Sequence, residues 1–278
     1  MSLFITSLNS GSNGNCYYIG NESEAILIDA GITCREIEKR MKRLSLSIRK
    51  IKAVFVSHEH SDHIKGIEVL SKKYQFPVYI TATTLLNSSL RIENHLVTSF
   101  KAYQSIKIGS LTILPFPKFH DACDPNSFIV DCNKIKVGIF TDIGLPCEHV
   151  TKHFQQCHAA FLEANYDEKM LSESNYPYHL KKRISGGQGH LSNTQALALF
   201  KKYRPSFMSH LFLSHLSKNN NSPQLVKDLF DAHAEGVEII IASRYEETGL
   251  YHIQNSGSVY RNVKTVNEAS KQLAFSFA

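Results

Sequence analysis

Positions 57 to 63 of this 278-residue chain read Ser57-His58-Glu59-His60-Ser61-Asp62-His63, placing His58, His60, Asp62 and His63 within six positions. Whatever the chain folds into must seat this stretch. Upstream, Ile51 to Val56 is an apolar run rich in β-branched residues and reads as a buried strand. Downstream, Ile64, Ile67, Val69 and Leu70 recur at helical spacing from Ile64 to Lys73. The cluster is therefore a strand-to-helix turn. On its extended part, His58 and His60 are two apart and project to the same side, so both imidazoles can reach one ion. Asp62 and His63 fall where the chain turns into the helix and are aimed at a neighbouring point, a geometry that suits two adjacent cations. The plain alternative is a polar loop that happens to be histidine-rich. Three histidines and an aspartate in this register, directly after a buried strand, favour the metal reading.

With 42% hydrophobic and 20% charged residues, the chain has the composition of a soluble globular protein and can bury a substantial core. Met1 to Leu8 is too short an apolar run for a signal peptide and lacks a basic start, and no apolar stretch approaches membrane-spanning length. A cytoplasmic location without a membrane partner is expected. The six cysteines, Cys16, Cys34, Cys123, Cys132, Cys147 and Cys157, contain no CxxC pair and are expected to be free thiols, mostly buried. A formal charge of +6 is compatible with a nucleic-acid partner, although many unrelated proteins share it. The Lys39 to Arg43 and Lys181 to Arg183 runs read as solvated surface.

Met1 to Leu8 and Cys16 to Ile19 read as strands joined by Asn9-Ser10-Gly11-Ser12-Asn13-Gly14-Asn15, a turn sequence that explains its own glycines. Ala25 to Ile28 is a buried strand ending at Asp29-Ala30-Gly31, and Thr33 to Leu44 is an amphipathic helix with Ile37, Met41 and Leu44 inward. Pro77 to Thr81 is a short strand, Thr83 to Leu90 a helix, and Ile106 to Leu114 a hairpin turning at Gly109-Ser110. Ser127 to Val130 and Lys136 to Phe140 pair as strands, the second ending at Thr141-Asp142 ahead of a helix from Glu148 to Gln156. Strands at Ala159 to Ala164 and Ser206 to Leu213 bracket a helix from Thr194 to Tyr203, opened by Gly189-His190-Leu191-Ser192-Asn193. A helix from Pro223 to Glu235 and strands at Val237 to Ala242 and Gly249 to Ile253 complete an α/β (α+β) pattern without internal repeats. Beyond Gln254 the composition turns polar.

His58-x-His60-x-Asp62-His63 resembles the signature of the metallo-β-lactamase superfamily. That resemblance implies an αββα sandwich, two mixed sheets flanked by helices, with a dinuclear site along one edge. It also implies later ligands in a fixed order. His120, which alone would be an ordinary loop histidine, falls where the family places the third ligand of the first metal. Asp142, directly after a buried strand, can bridge two ions with its carboxylate, against the alternative of a helix cap. His215, where the last long strand exits, is the candidate for the final ligand. His210 points to the opposite face and is expected to be packed or on the surface. The implied set is His58, His60 and His120 on one metal, Asp62, His63 and His215 on the other, and Asp142 between them. Asp29 matches the aspartate that orients the metal loop without being a ligand, with a simple turn cap as the alternative. Five imidazoles and two carboxylates suit two divalent ions, Zn, Mn or Fe, without choosing among them.

Ser10-Gly11-Ser12-Asn13-Gly14-Asn15-Cys16-Tyr17, His120-Asp121-Ala122, Thr141-Asp142-Ile143-Gly144, Leu162-Glu163-Ala164-Asn165-Tyr166-Asp167, Gly189-His190-Leu191-Ser192-Asn193 and Leu213-Ser214-His215-Leu216-Ser217 together resemble the YycJ/WalJ subgroup. The likeness covers residues 1 to about 253 and implies a cytoplasmic metal-dependent nuclease, described for the subgroup as a DNA exonuclease acting in repair. Residues 1–254 are thus expected to form the hydrolase domain and 255–278 a loose C-terminal tail. Two cations sharing a water would supply hydroxide at neutral pH, and His190 oriented by Glu163 would serve as general acid for an alkoxide leaving group. A helix-start hydrogen bonder is the plainer role for His190. In related folds the loop around Ser12 and Asn13 lies beside the metals, so these two, with Ser192, are candidates to touch substrate. The aspartate at position 142 and the lack of an export signal speak against a secreted antibiotic-hydrolysing lactamase. The interval from Asp142 to His215 leaves no room for the insert domain of the β-CASP ribonucleases. One rival reading is a small-molecule thioester or lactone hydrolase, which would not need His190. Another is a non-catalytic nucleic-acid-binding or regulatory protein. Gln272-Leu273-Ala274-Phe275-Ser276-Phe277 resembles the peptide with which bacterial replication proteins dock on the sliding clamp, against the plainer reading of an ordinary chain end.

Overall fold

A computed structural model describes residues 2–254. The tail at 255–278 and its clamp-like peptide lie outside the described residues. In chain order the strands are β1 (Leu3–Asn9), β2 (Cys16–Gly20), β3 (Ala25–Ile28), β4 (Ile51–Phe55), β5 (Val78–Ile80), β6 (Val97–Ser99), β7 (Ile106–Ile108), β8 (Leu111–Pro117), β9 (Asn126–Cys132), β10 (Ile135–Phe140), β11 (Ala159–Glu163), β12 (His210–Ser214), β13 (Glu238–Ile241) and β14 (Tyr251–Ile253). The helices are α1 (Cys34–Arg43), α2 (Ser61–Ile64), α3 (Ile67–Tyr74), α4 (Ala82–Asn87), α5 (Glu148–Phe154), α6 (Glu168–Glu173), α7 (Tyr178–Ser185), α8 (Asn193–Tyr203) and α9 (Pro223–Asp231).

Two seven-stranded sheets run in the orders β14-β1-β2-β3-β4-β5-β6 and β13-β12-β11-β10-β9-β8-β7. Their strands read as unbroken apolar runs because both faces are buried, and alternate residues serve different layers. On β3, Ile26 and Ile28 face the other sheet while Ala25 and Leu27 pack with Ile37 and Met41 of α1 and Leu70 of α3. On β11, Phe161 enters the layer between the sheets, and Ala160 and Leu162 pack with Phe154 of α5, Phe200 of α8 and Phe230 of α9. The result is helices, sheet, sheet, helices, the αββα sandwich expected from the sequence.

The parallel pairs β3–β4 and β10–β11–β12 bring the carboxyl ends of their strands to one edge. Open sheets with parallel strands place ligands at such edges. Here the chain leaves β3, β10 and β12 through a residue of positive φ, Asp29 at 60°, Asp142 at 54° and His215 at 55°.

Several elements differ from the sequence expectation for identifiable reasons. The helix read from Ile64 to Lys73 is two helices broken at Lys65-Gly66, where a Cβ on Gly66 would stand 2.1 Å from the Ile32 carbonyl oxygen. The strand read from Ser206 begins only at His210, because Pro205 to Met208 forms a turn closed by Met208 N donating to Pro205 O. Helices α6 and α7 were not foreseen, and α7 buries none of its residues, so it leaves no apolar stripe to detect. Within the Lys39 to Arg43 run Arg40 is not solvated. It is buried, and its guanidinium donates to the carbonyls of Leu8 and Tyr245 and to Asn9 Oδ1. Of the cysteines, Cys123 is exposed and Cys147 half-buried, and the other four are buried thiols.

Gly31, between β3 and α1, packs against the histidine-rich loop. A Cβ there would lie 1.7 Å from the Asp62 carbonyl oxygen, which accepts from Asn15 N at 2.7 Å. Gly31→Ala should therefore lower unfolding stability in urea by about 3 kcal/mol or more, beyond the ordinary penalty for overpacking. Wild-type stability in the variant would refute the close approach of these two loops.

Candidate metal centre

The centre is assembled from both sheets. Strand β4 delivers Ser57, His58 and His60, and the first turn of α2 delivers Asp62 and His63. His120 follows β8, Asp142 follows β10, Glu163 ends β11 and His215 follows β12. His58 Nε2 lies 3.1 Å from His60 Nδ1, which lies 3.3 Å from His120 Nε2. Asp62 Oδ2 lies 3.6 Å from both His63 Nε2 and His215 Nε2. Asp142 stands between these sets, Oδ2 at 3.1 Å from His63 Nε2, Oδ1 at 3.0 Å from His215 Nδ1 and 4.0 Å from His120 Nε2. All seven side chains expected to hold metal are thus brought to one place.

Three groupings have ligand atoms within 4.8 Å of one another: His58, His60 and His120; His58, His63 and Asp142; and Asp142, Glu163, His190 and His215. Asp142 Oδ2 and His215 Nε2 are buried with no aligned hydrogen bond among the described residues. A buried carboxylate oxygen and ring nitrogen left in that state are what a cation between them would satisfy. The donor set fits metal ions.

Around the cluster, buried acceptors hold the far side of His63, His120, His190 and His215. Asp29 accepts from Ser57 N at 2.8 Å and Ser57 Oγ at 2.7 Å, and its Oδ2 sits 2.7 Å from His63 Nδ1. That bond turns His63 Nε2 toward Asp62 and Asp142. Glu163 is fully buried, its Oε2 accepting from Ile143 N and Leu191 N and its Oε1 facing His190 Nδ1 at 2.8 Å and His215 Nδ1 at 2.9 Å. His120 Nδ1 is 3.1 Å from the Gly189 carbonyl oxygen. A carboxylate or carbonyl behind an imidazole fixes its tautomer and aims its other nitrogen.

His190 occupies a loop position two residues ahead of the Ser192 cap of α8, not the helix start itself. Ser192 is spent on that cap, accepting from Gln195 N and donating to Glu168 Oε1. Ser12 and Asn13 form the exposed crest of their loop, with Asn13 Nδ2 donating to the Arg244 carbonyl. The loop meets the cluster through neighbours the sequence did not single out. Ser10 Oγ accepts from His215 N at 2.8 Å, and Asn15 Nδ2 is 3.2 Å from Asp62 Oδ2 and 3.1 Å from His63 Nε2. Lys118 is also buried here, donating to the Thr141 carbonyl. A single lysine near the end of a strand gave no signal for this. His210 is buried against Tyr251 and 3.4 Å from Glu238, remote from the cluster in role.

Burial opposes every charge in the centre, and mutual attraction overrides it at several sites. Burial alone would lower His63, but Asp142, Asp29 and Asp62 push its imidazole up to about 10. His215 is likewise raised, by Asp142 and by its bonds to Asp62 and Glu163. Asp142 is held well below the usual carboxylate range against burial by His215 and His63, and Glu163 goes down to about 2 chiefly through His190. His58 and His120 go the other way. Desolvation drives His58 well below its usual value, and it lowers His120 to about 4. The carboxylates thus favour the charged form of His63 and His215, while desolvation favours the neutral form of His58 and His120.

Comparison with known proteins agrees with this geometry. The model of the metallo-beta-lactamase superfamily matches residues 10–148. The chain is 32% identical over 231 residues to "Exodeoxyribonuclease YycJ" of Bacillus anthracis, spanning 82% of this chain and 87% of that protein. The chain belongs to the metallo-beta-lactamase superfamily. Another relative, "Exodeoxyribonuclease WalJ" of Streptococcus pneumoniae serotype 2, is 28% identical and covers 78% of this chain and 83% of its own length. Among solved structures, the metallo-beta-lactamase fold protein YhfI from Bacillus subtilis aligns with a TM-score of 0.69 at 15% identity, covering 91% of this chain and 100% of its own. That likeness concerns the fold. Among the described residues no helix of this superfamily member is long and apolar enough to cross a membrane.

Loading a metal requires neutral imidazoles, whereas the surrounding carboxylates favour the protonated form of His63, pushed up to about 10, and of the raised His215. Calorimetric titration of chelated protein with a divalent ion, run in two buffers of different ionisation enthalpy, should therefore reveal release of at least about one proton per chain. A heat independent of buffer would contradict the charge balance described for the centre.

Proposed function

We propose that this chain is a metal-dependent hydrolase of phosphodiester bonds, an exonuclease-like enzyme acting on DNA. The observation that carries the proposal is the buried Glu163 fastened to His190 beside the histidine and aspartate cluster, with Nδ1 to Oε1 at 2.8 Å. The relatives named exodeoxyribonucleases support the substrate class. His58, His60 and His120 would hold one cation and Asp62, His63 and His215 a second, with Asp142 shared. Zinc, manganese or iron suits such donors. Bound there, the ions supply Lewis acidity that lowers the pKa of water toward neutrality and offsets charge on phosphoryl oxygens.

The chain's own residues do the rest. Asp29 keeps a proton on His63 Nδ1, so that Nε2 presents its lone pair to the cluster. Glu163 does the same for His190 Nδ1, and His190 Nε2 then has no protein partner among the described residues. With its side chain 21% exposed, His190 can hold a proton at Nε2 and give it to an oxygen leaving from phosphorus. The buried carboxylate behind the ring holds Nδ1 and fixes the direction in which Nε2 points. A thioester releases a thiolate, a better leaving group that gains little from such a donor, which is why the pair favours the phosphodiester over the thioester reading.

End-labelled DNA and bis-p-nitrophenyl phosphate test the assignment together, with Mn, Zn or Mg restored after chelation. The wild type should shorten DNA from an end. His190→Ala should lose about 10²- to 10⁴-fold on DNA, far less on the nitrophenyl ester, whose leaving group needs little protonation, and should retain its metal content. Equal losses on both substrates would remove His190 as the acid. No cleavage of DNA at all, with turnover of a thioester or lactone, would replace the proposal with its rival.

A further inference from the structure

Where β1 turns into β2, three polar side chains are buried together, Ser10, Asn15 and Tyr17. The Tyr17 ring lies in the layer between the sheets, its centroid 4.9 Å from that of Phe161, and its hydroxyl meets the loop. The hydrogen bonds in this corner have an assignable direction. Gly11 N can only donate, and it faces Asn15 Oδ1 at 3.0 Å, so Nδ2 is the end of the amide that donates to Asp62 Oδ2 at 3.2 Å. Asn15 Oδ1 also accepts from the Tyr17 hydroxyl at 3.2 Å. That bond uses the Tyr17 proton, so Ser10 Oγ, 2.8 Å away, donates to the Tyr17 oxygen and keeps a lone pair for His215 N, also at 2.8 Å. Burial pushes Tyr17 well above its ordinary value, which keeps the hydroxyl a donor. One line of hydrogen bonds therefore runs from His215 N through Ser10, Tyr17 and Asn15 to Asp62, each group donating to the next. His58, His60 and His120 bond elsewhere, to Ser57 Oγ, to one another and to the Gly189 carbonyl.

We propose that this line of hydrogen bonds sets the second cation site, with Tyr17 and Asn15 as positioning residues for His215 and Asp62. The inference rests on the two-cation reading and adds the side chains that make the second site answer to a different part of the fold from the first. Asp62 lies in the four-residue α2 with its side chain 20% exposed. Apart from the two imidazoles that face it, the side chain that holds its carboxylate among the described residues is Asn15. His215 takes its left-handed turn with Ser10 Oγ on its backbone N. The Tyr17 hydroxyl joins these two supports, and partners of this kind govern metal affinity because they fix ligand direction. A network that only held the fold together would favour neither site.

The test titrates the chelated full chain with manganese by calorimetry, and anomalous diffraction from loaded crystals assigns each binding step to its site. The wild type should take up two ions. Asn15→Ala should weaken the ion beside Asp62, His63 and His215 about 10- to 100-fold, and Tyr17→Phe, which keeps the ring and removes one oxygen, should weaken it about 10-fold. The ion beside His58, His60 and His120 should bind as in the wild type. The double variant should lose less than the product of the two single losses, because Tyr17 acts through Asn15. Tyr18→Phe, on the same strand but packed toward the helices, should alter neither step. Should Tyr17→Phe not fold, Asn15→Ala gives the same comparison between sites. Two ions in the wild type with an unaltered second step in the variants, or equal losses at both sites, would overturn this inference and leave the two-cation reading standing. A wild type that takes up a single ion would sink that reading and the inference with it.

Discussion

The centre depends on two carboxylates buried out of reach of water, one from each sheet. Asp29 at the end of β3 and Glu163 at the end of β11 grip the Nδ1 atoms of His63, His190 and His215 from behind. A buried carboxylate without partners would cost several kcal/mol. Each of these has backbone or hydroxyl donors as well, Ser57 N and Oγ for Asp29, Ile143 N and Leu191 N for Glu163. The anions are therefore fixed in place before any ring is considered. Rings held by them can point only one way, and that direction is the space between the sheets' edges where Asp62, Asp142 and the remaining histidines converge.

Backbone strain serves the same end. Asp29, Asp142 and His215 leave their strands with positive φ, a conformation uncommon outside glycine in which aspartate, asparagine and histidine are enriched. The left-handed step turns each side chain back over the edge of the sheet when the strand's own alternation would send it up or down. For His215 the step is held by Ser10 Oγ, which accepts from its backbone N, and by Asn165, which donates to its carbonyl. Neighbouring β11 and β12 run parallel in register, Glu163 beside Ser214, so the strain is shared by a rigid frame. This frame lets the loops Ser10 to Asn15 and Ser57 to His63 close on each other at Gly31.

Much of this was legible in the residues. Buried strands announced themselves as apolar runs, and His58, His60, Asp62 and His63 stood out because ligand types crowd at one turn. His120, Asp142 and His215 were legible only through resemblance, since a single histidine or aspartate after a strand has many ordinary uses. Illegible were the contacts made by side chains whose types carry no signature. Ser10, Asn15 and Lys118 reach the centre through tertiary packing that no local pattern encodes. Arg40 sat in a run of cations on an amphipathic helix, and only the loops folded over it show that it is buried. Helix α7 escaped for the opposite reason, since a helix with no buried face leaves no periodicity.

The proposed chemistry requires seven side chains to hold two neighbouring cations. Anomalous diffraction at the manganese edge from crystals of the chelated and reloaded protein measures that directly. Two peaks about 3.5 to 4 Å apart are predicted, one beside His58, His60 and His120, the other beside Asp62, His63 and His215, with Asp142 touching both. A single peak, or peaks that leave Asp142 or His215 without a metal neighbour, would contradict it.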